Sequence, residues 1–366
     1  MLQAIARQAS FRAGDTPNVD EPGWALTAWP SGFNTLTCGS AVERLIPDGL
    51  VKTAGWPSPF TRIGPAFPGE CDAPIPEFAA HGGNSDESFR SRSPFGVWGL
   101  NAEGQLEDHA GTSFAAPLLA REAAFAFVEL QKACAPGTKV YSATVKAYLA
   151  LTAVPYPVSS RVRRLSERTL GLGSASAKRL YQPSANSAVF IWQGLLQGPE
   201  EIIRVQAPIP NAWLAEAESP RLRVVCAWDT PVNAAVRGFW GCRRVSVKLR
   251  TSLHGDAVGG SQTKHPTHPL SARDFDLRKK KRAEQEIRPT SDLWILEVSY
   301  KQVADYLSSM EFSPQQRVGL ALELSDDVEE PTSPQIAVQA MPTVQSMIRL
   351  STSAIPITIP VKARGR

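Results

Sequence analysis

The stretch from Gly111 to Cys134 constrains this chain more than any other. Gly111-Thr112-Ser113-Phe114-Ala115-Ala116-Pro117 runs without a break into residues Pro117 to Cys134, which lack glycine and are rich in Ala, Leu and Phe. That composition predicts one long helix. Only Arg121, Glu122, Glu129 and Lys132 carry charge there, so apolar side chains surround most of the circumference and a centrally buried helix is expected. Pro117 falls in the first turn, where its missing N–H costs nothing. Ser113 then sits at the helix N-terminus, where unpaired N–H groups and the helix dipole favour negative charge. A tetrahedral oxyanion forming beside Ser113 would be stabilised, and Gly111, Ala115 and Ala116 are small enough to let another chain approach. The same residues also suit a Thr-Ser helix cap with no chemistry.

The length of 366 residues predicts two domains. The 30 prolines outnumber the 26 glycines and favour a loop-rich or β-rich fold over a helical bundle. A net charge of +4 is too weak to imply nucleic acid or membrane as a partner, and neither is expected. The five cysteines, Cys38, Cys71, Cys134, Cys226 and Cys242, form no CxxC pair, so buried free thiols are expected rather than a metal site or disulfide framework. No phosphate-binding loop, zinc-binding helix or EF-hand loop occurs, and no cofactor or metal is expected. No apolar run reaches membrane-spanning length. Residues Met1 to Gly14 lack the apolar core of a signal peptide, which predicts a cytoplasmic location.

Along the chain, Ser142 to Thr152 reads as a second helix, with Val145, Tyr148 and Leu149 on one face. The texture changes near Tyr181. Leu222, Val224 and Cys226 alternate with Arg221, Arg223 and Val225. The same period of two recurs around Val245-Val247-Leu249, Trp294-Leu296-Val298 and Val318-Leu320-Leu322-Leu324. This periodicity predicts an antiparallel β-sandwich over 184–350, followed by a tail at 351–366. The polar stretch Gly255 to Arg288 predicts a long mobile loop. Within it, Arg278-Lys279-Lys280-Lys281-Arg282 reads as a solvated loop face rather than a nucleic-acid patch.

Gly-Thr-Ser-x-Ala-x-Pro resembles the nucleophile signature of the subtilisin-like serine proteases, the subtilases. Asn34 to Ala41 resembles the family's "ITVGA" strand, and Pro59 to Pro65 its "SFSSRGP" turn. Ile75 to Gly83 resembles "KPDVVAPGG", Ala143 to Leu149 the helix after the nucleophile, and Gly171-Leu172-Gly173 the closing "GYG". Trp228-Asp229-Thr230-Pro231 is similar to a turn in the C-terminal β-sandwiches of some bacterial members, and reads equally as an ordinary β-turn. The resemblance covers roughly residues 10 to 183. It implies an α/β fold: an incomplete subtilisin-like parallel-sheet core over 1–183, ahead of the sandwich. It further implies a serine endopeptidase acting on polypeptides, with Ser113 as nucleophile, a histidine base and an aspartate orienting that base.

The departures from the family are as informative. Nothing before Ser113 resembles the "DTG" aspartate or "HGTH" histidine motifs, whose order along the chain is Asp, His, Ser. His81 and His109 precede Ser113, but both read as loop histidines. Ala13-Gly14-Asp15 resembles the "AGN" turn whose asparagine donates to the oxyanion, which makes Asp15 a candidate oxyanion-hole position. Ionised, Asp15 would repel the oxyanion; protonated, it could donate to it. Asn18 and Asn34 are nearby alternatives, and Asp15 also reads as a plain turn residue. An inactive pseudoprotease, or a peptide-binding or regulatory module completed by a partner chain bearing the Asp and His, is the second expectation. DNA just 5′ of the Met1 codon is expected to encode an Asp-Thr/Ser-Gly turn and then a His-Gly-Thr helix. Sequencing that stretch and mapping the N-terminus by mass spectrometry checks this, and an upstream region without those motifs shifts the reading to the module.

Overall fold

The structure is a computed structural model that describes residues 34–45, 48–62, 75–86, 96–135, 137–157, 169–178, 187–207, 209–231, 243–251, 257–258, 261–262, 269–277, 294–302, 313–326 and 348–349. Asp15, Asn18, Cys71, Cys242, the Arg278 to Arg282 run, the expected boundary at 183/184 and the tail lie outside the described residues. The chain divides into two compact units, Met1–Ala124 with Thr152–Ser176, and Phe125–Leu151 with Ala177–Arg366.

In the first unit, β1 (Cys38–Val42), β2 (Trp56–Pro57) and β3 (Phe78–His81) form a sheet in the order β2-β1-β3. β1 and β3 are parallel, in register from Cys38↔Phe78 to Ala41↔His81. Small residues let neighbouring chain close over these strands: a side chain on Gly39 would meet Thr169 O at 2.5 Å and Pro76 Cγ at 2.8 Å. Ala41, Ala79 and Leu170 form the local apolar cluster. The returning segment is pinned by Leu172 N–H to Glu77 O at 2.8 Å and Ala79 N–H to Gly173 O at 2.9 Å. Glu77 is itself buried and ties to Thr37 in both directions: its N–H donates to Thr37 Oγ1 at 2.8 Å, and its Oε2 accepts from Thr37 N–H at 3.4 Å. A hairpin follows, β4 (Val97–Leu100) with β5 (Leu106–His109), and leads directly into helix α1 (Thr112–Ala133).

α1 begins at Thr112, so Pro117 lies inside the helix rather than in its first turn. In its burial α1 corrects one expectation. It is buried along a single stripe, Ala115, Leu119, Ala126 and Leu130, while Phe125, Phe127 and Val128 are exposed. An apolar circumference permits burial on any side, and only packing selects which side is covered. The second helix, α2 (Ser142–Thr152), forms where expected and is buried on all faces from Ala143 to Thr152.

In the second unit, β6 (Ser187–Leu196), β7 (Ile203–Ala207), helix α3 (Asn211–Glu216), β8 (Pro220–Trp228), β9 (Arg243–Arg250), β10 (Ser261–Gln262), β11 (Leu270–Asp276), β12 (Trp294–Gln302), β13 (Gln316–Asp326) and β14 (Ile348–Arg349) follow. They form a six-stranded sheet, β10-β11-β8-β13-β6-β14, and a three-stranded sheet, β7-β12-β9. Every pairing in both is antiparallel. The fold is thus mixed α/β with extensive antiparallel sheet. Alternate residues of both sheets enter one core, including Trp192, Leu222 and Leu320 from the larger and Val247, Leu296 and Val298 from the smaller. Burying each such side chain contributes roughly 1.5–3 kcal/mol. α2 lies on the other face of the larger sheet. Gly319 permits this, since a side chain there would meet Thr144 Cα at 2.4 Å. Gln193 brackets the contact: its Oε1 accepts from Tyr141 N–H at 3.0 Å and Thr144 Oγ1 at 2.9 Å, and its Nε2 donates to Lys139 O at 2.8 Å.

β11 corrects a second expectation. It runs through the stretch read as a long loop and pairs with β8 from Leu270↔Ala227 to Asp276↔Arg221. Within β11 and the residue after it, only Phe275 and Leu277 reach the core, so the stretch lacked an alternating apolar signal. Its strand character comes from cross-strand hydrogen bonding.

On the other face of the three-stranded sheet, Glu297 has a side chain only 8% exposed and bridges Arg204 Nε at 2.9 Å and Arg250 Nε at 2.6 Å. Burial by itself raises the Glu297 carboxyl. The hydrogen bonds from Arg250 and Arg204 and their charges outweigh it, so its pKa is lowered. A depressed carboxyl contributes stability above its unfolded value and loses it as pH falls through the folded one. Glu297→Ala is expected to cost about 3 kcal/mol at neutral pH by leaving two guanidinium groups without their acid. In urea titrations the difference from wild type should shrink as pH drops below about 4.

Candidate active site

Ser113 is the second residue of α1 and is exposed to solvent. The turn into the helix is closed by Phe114 N–H to Gly111 O at 3.0 Å and Ala115 N–H to Gly111 O at 3.4 Å. Thr112 and Ser113 precede any intrahelical acceptor, so their N–H groups belong to the positive end of the helix. Gly111 has φ of 155°, which a side chain rarely adopts. An alcohol at this point can attack a carbonyl and leave the resulting oxyanion beside backbone donors.

What holds this turn in place is the segment after β3. Gly111 N–H donates to Gly82 O at 2.8 Å. A side chain on Gly82 would meet Ser40 Oγ at 2.2 Å and Gly111 O at 2.8 Å. Residues Gly82, Gly83, Asn84 and Ser85 are all buried. Ser58 Oγ donates to Gly83 O at 2.6 Å, so the 2.6 Å contact between Ser40 Oγ and Ser58 Oγ has Ser40 as donor. Asn84 bonds both ways to Val51, accepting at 3.1 Å and donating at 2.8 Å. Sequence reading placed Ser40, Gly82 and Gly83 in family-like segments but did not single out Asn84 or bring them together with Ser58, which lies 18 residues from Ser40 and 25 from Gly83.

The β4–β5 hairpin was also missed, although its turn had a signal in Asn101-Ala102-Glu103-Gly104. Asn101 Oδ1 accepts from Glu103 N–H at 3.0 Å and Gln105 N–H at 2.8 Å, and Gly104 has φ of 77°. The hairpin ends in His109. Its ring stacks on Phe114 at 5.0 Å with planes 5° apart, and its Nε2 lies 3.2 Å from Glu107 Oε2. His81 Nδ1 accepts from Glu43 N–H at 3.3 Å. Among the described residues, no hydrogen bond joins Ser113 to either histidine.

Comparison with family models matches residues 10–181 to the Subtilase family. Over these residues, just under half of the chain, the sequence is similar to the subtilase family. That family comprises serine peptidases, and the match spans the Gly-Thr-Ser turn, β1, β3 and both helices. No curated protein matches the chain. The described cysteines of this segment are protonated thiols. Cys38 is pushed up to about 12 by burial, against a hydrogen bond with the Ala80 backbone, and Cys134 is also raised by burial. A thiol held that high is not a thiolate at neutral pH. Cys226, on β8, is raised too, again by burial first.

Gly82→Ala should force Ser40 or the Gly111 turn to move, at a cost of roughly 1–3 kcal/mol. Thermal denaturation of the variant checks this, and a melting temperature equal to wild type would show that the turn does not rest on Gly82.

Proposed function

We propose that this chain carries the nucleophile part of a subtilisin-type serine endopeptidase, with Ser113 as the attacking alcohol. The observation that carries the reading is the exposed Ser113 on the first turn of α1, within Gly-Thr-Ser-x-Ala-x-Pro. Ser113 Oγ attacks the peptide carbonyl, the first-turn N–H groups receive the oxyanion, and a histidine takes the proton and returns it to the leaving amine. Asp15 remains a proposed contributor to the oxyanion hole. The parallel pair β1–β3 beside the Ser113 turn supports an incomplete subtilisin-like core. Two antiparallel sheets sharing one core support a β-sandwich after it. The substrate is a polypeptide, and no cofactor takes part.

The engagement of His109 with Glu107 and Phe114, and of His81 with Glu43, favours a second reading as well. Neither histidine serves as the base in this proposal, so base and orienting aspartate come from a segment other than the described residues, or from a partner chain. Without them the 366-residue chain acts as an inactive, peptide-binding or regulatory module. In subtilisin, losing one triad partner costs about 10⁴–10⁶ in turnover. The chain produced alone is therefore expected to cleave casein no faster than its Ser113→Ala variant. Turnover that vanishes in Ser113→Ala would assign the base to His81 or His109.

A further inference from the structure

The outer face of the three-stranded sheet carries an arrangement that nothing in catalysis uses. On that face of β9 and β12 the cross-strand partners run Arg244↔Lys301, Ser246↔Ser299, Lys248↔Glu297 and Arg250↔Ile295. Glu297 gives one oxygen to Arg204 and the other to Arg250, although Lys248 is its direct cross-strand partner. Arg244, Lys248 and Lys301 are exposed, and none of them forms an ion pair among the described residues. Arg244 and Lys301 stand directly opposite one another, an arrangement that destabilises a sheet. Between the cations lies a floor of two short hydroxyl side chains, Ser246 and Ser299.

We propose that this face is a docking surface for an acidic polypeptide segment lying extended across β9 and β12. Same-face residues of a strand recur at about 7 Å, so carboxylates at alternate positions of an extended chain match the Arg244, Ser246 and Lys248 rungs. The serines leave room for those carboxylates and donate to them, while Arg244, Lys301 and Lys248 flank them. Three uncompensated cations are too few to hold a nucleic acid at physiological salt, where affinity scales with the number of phosphates neutralised. The acidic ligand relieves the Arg244–Lys301 repulsion, which gives binding a source of free energy already present in the fold.

The test uses the full chain and a fluorescein-labelled peptide with glutamate at every second position, read by fluorescence anisotropy at low and physiological salt. Wild type is expected to bind, and the Arg244→Glu, Lys248→Glu, Lys301→Glu triple variant to bind at least about tenfold more weakly. Lys139→Glu and Arg221→Glu, at exposed positions elsewhere in the same unit, should bind as wild type does. Lys301→Glu alone turns a like-charge pair into an opposite one, so it should melt no lower than wild type while binding about fivefold more weakly. The proposal is overturned if wild type fails to bind at low salt, or if the triple variant binds as wild type does. Equal losses in the control variants, or tighter binding of an oligothymidylate than of the peptide, overturn it as well.

Discussion

The contact between Gly82 and both Ser40 and Gly111 is the point on which the first unit turns. Three backbone segments meet there: β1, the loop after β3 and the turn into α1. They approach so closely that one added methyl group would overlap Ser40 Oγ at 2.2 Å. Everything that gives Ser113 a defined place follows from that approach. The Gly111 N–H is held by Gly82 O. The loop carrying Gly82 is held by Ser58 and by the paired bonds between Asn84 and Val51. The proposed role of Ser113 requires that this helix terminus be fixed, because backbone donors at a helix start cannot adjust independently. Here polar side chains, buried and mutually satisfied, do the fixing. Buried polar networks of this kind stabilise only when every member has a partner.

The second unit solves a different problem by similar means. Its core is apolar and drawn from both sheets, and its polar residues settle on the two outer faces. On the larger sheet, Gln193 reaches out to hold α2 and the residues before it. On the smaller sheet, Glu297 draws two arginines inward while other cations stay in solvent. Arg243 is an exception. It is buried, lies 5.2 Å from the Tyr300 ring centroid, and donates to the carbonyls of Gln315 and Ser313. A guanidinium can be buried this way because its planar fork meets several acceptors at once.

Much of this was legible in the residues. The long helix after Ser113, the helix at Ser142–Thr152 and the strands around Leu222, Val247, Leu296 and Leu320 follow from periodicity, because the pattern of side chains that can be buried together is local. The Gly-Thr-Ser turn was legible through its helix-start chemistry and its family resemblance. What escaped was decided by partners distant in sequence. β11 is a strand because β8 offers it hydrogen bonds, not because its own side chains alternate. The exposure of Phe125, Phe127 and Val128 could not be read from a helix that is apolar all round.

By itself, the sequence determined that a serine stands at the N-terminus of a helix and that alternating strands follow, because both depend on residues within a few positions of each other. It also determined that His81 and His109 precede Ser113. Only the tertiary structure decided where those histidines are engaged, which stripe of α1 is buried, and that Gly82, Ser40 and Gly111 share one point in space. It alone decided that Arg244 faces Lys301 across two strands. The physical reason is the same in each case. Apart from the contacts of His109 with Glu107 and Phe114, these join segments tens of residues apart, and their energies depend on distances of a few ångströms that no local pattern encodes.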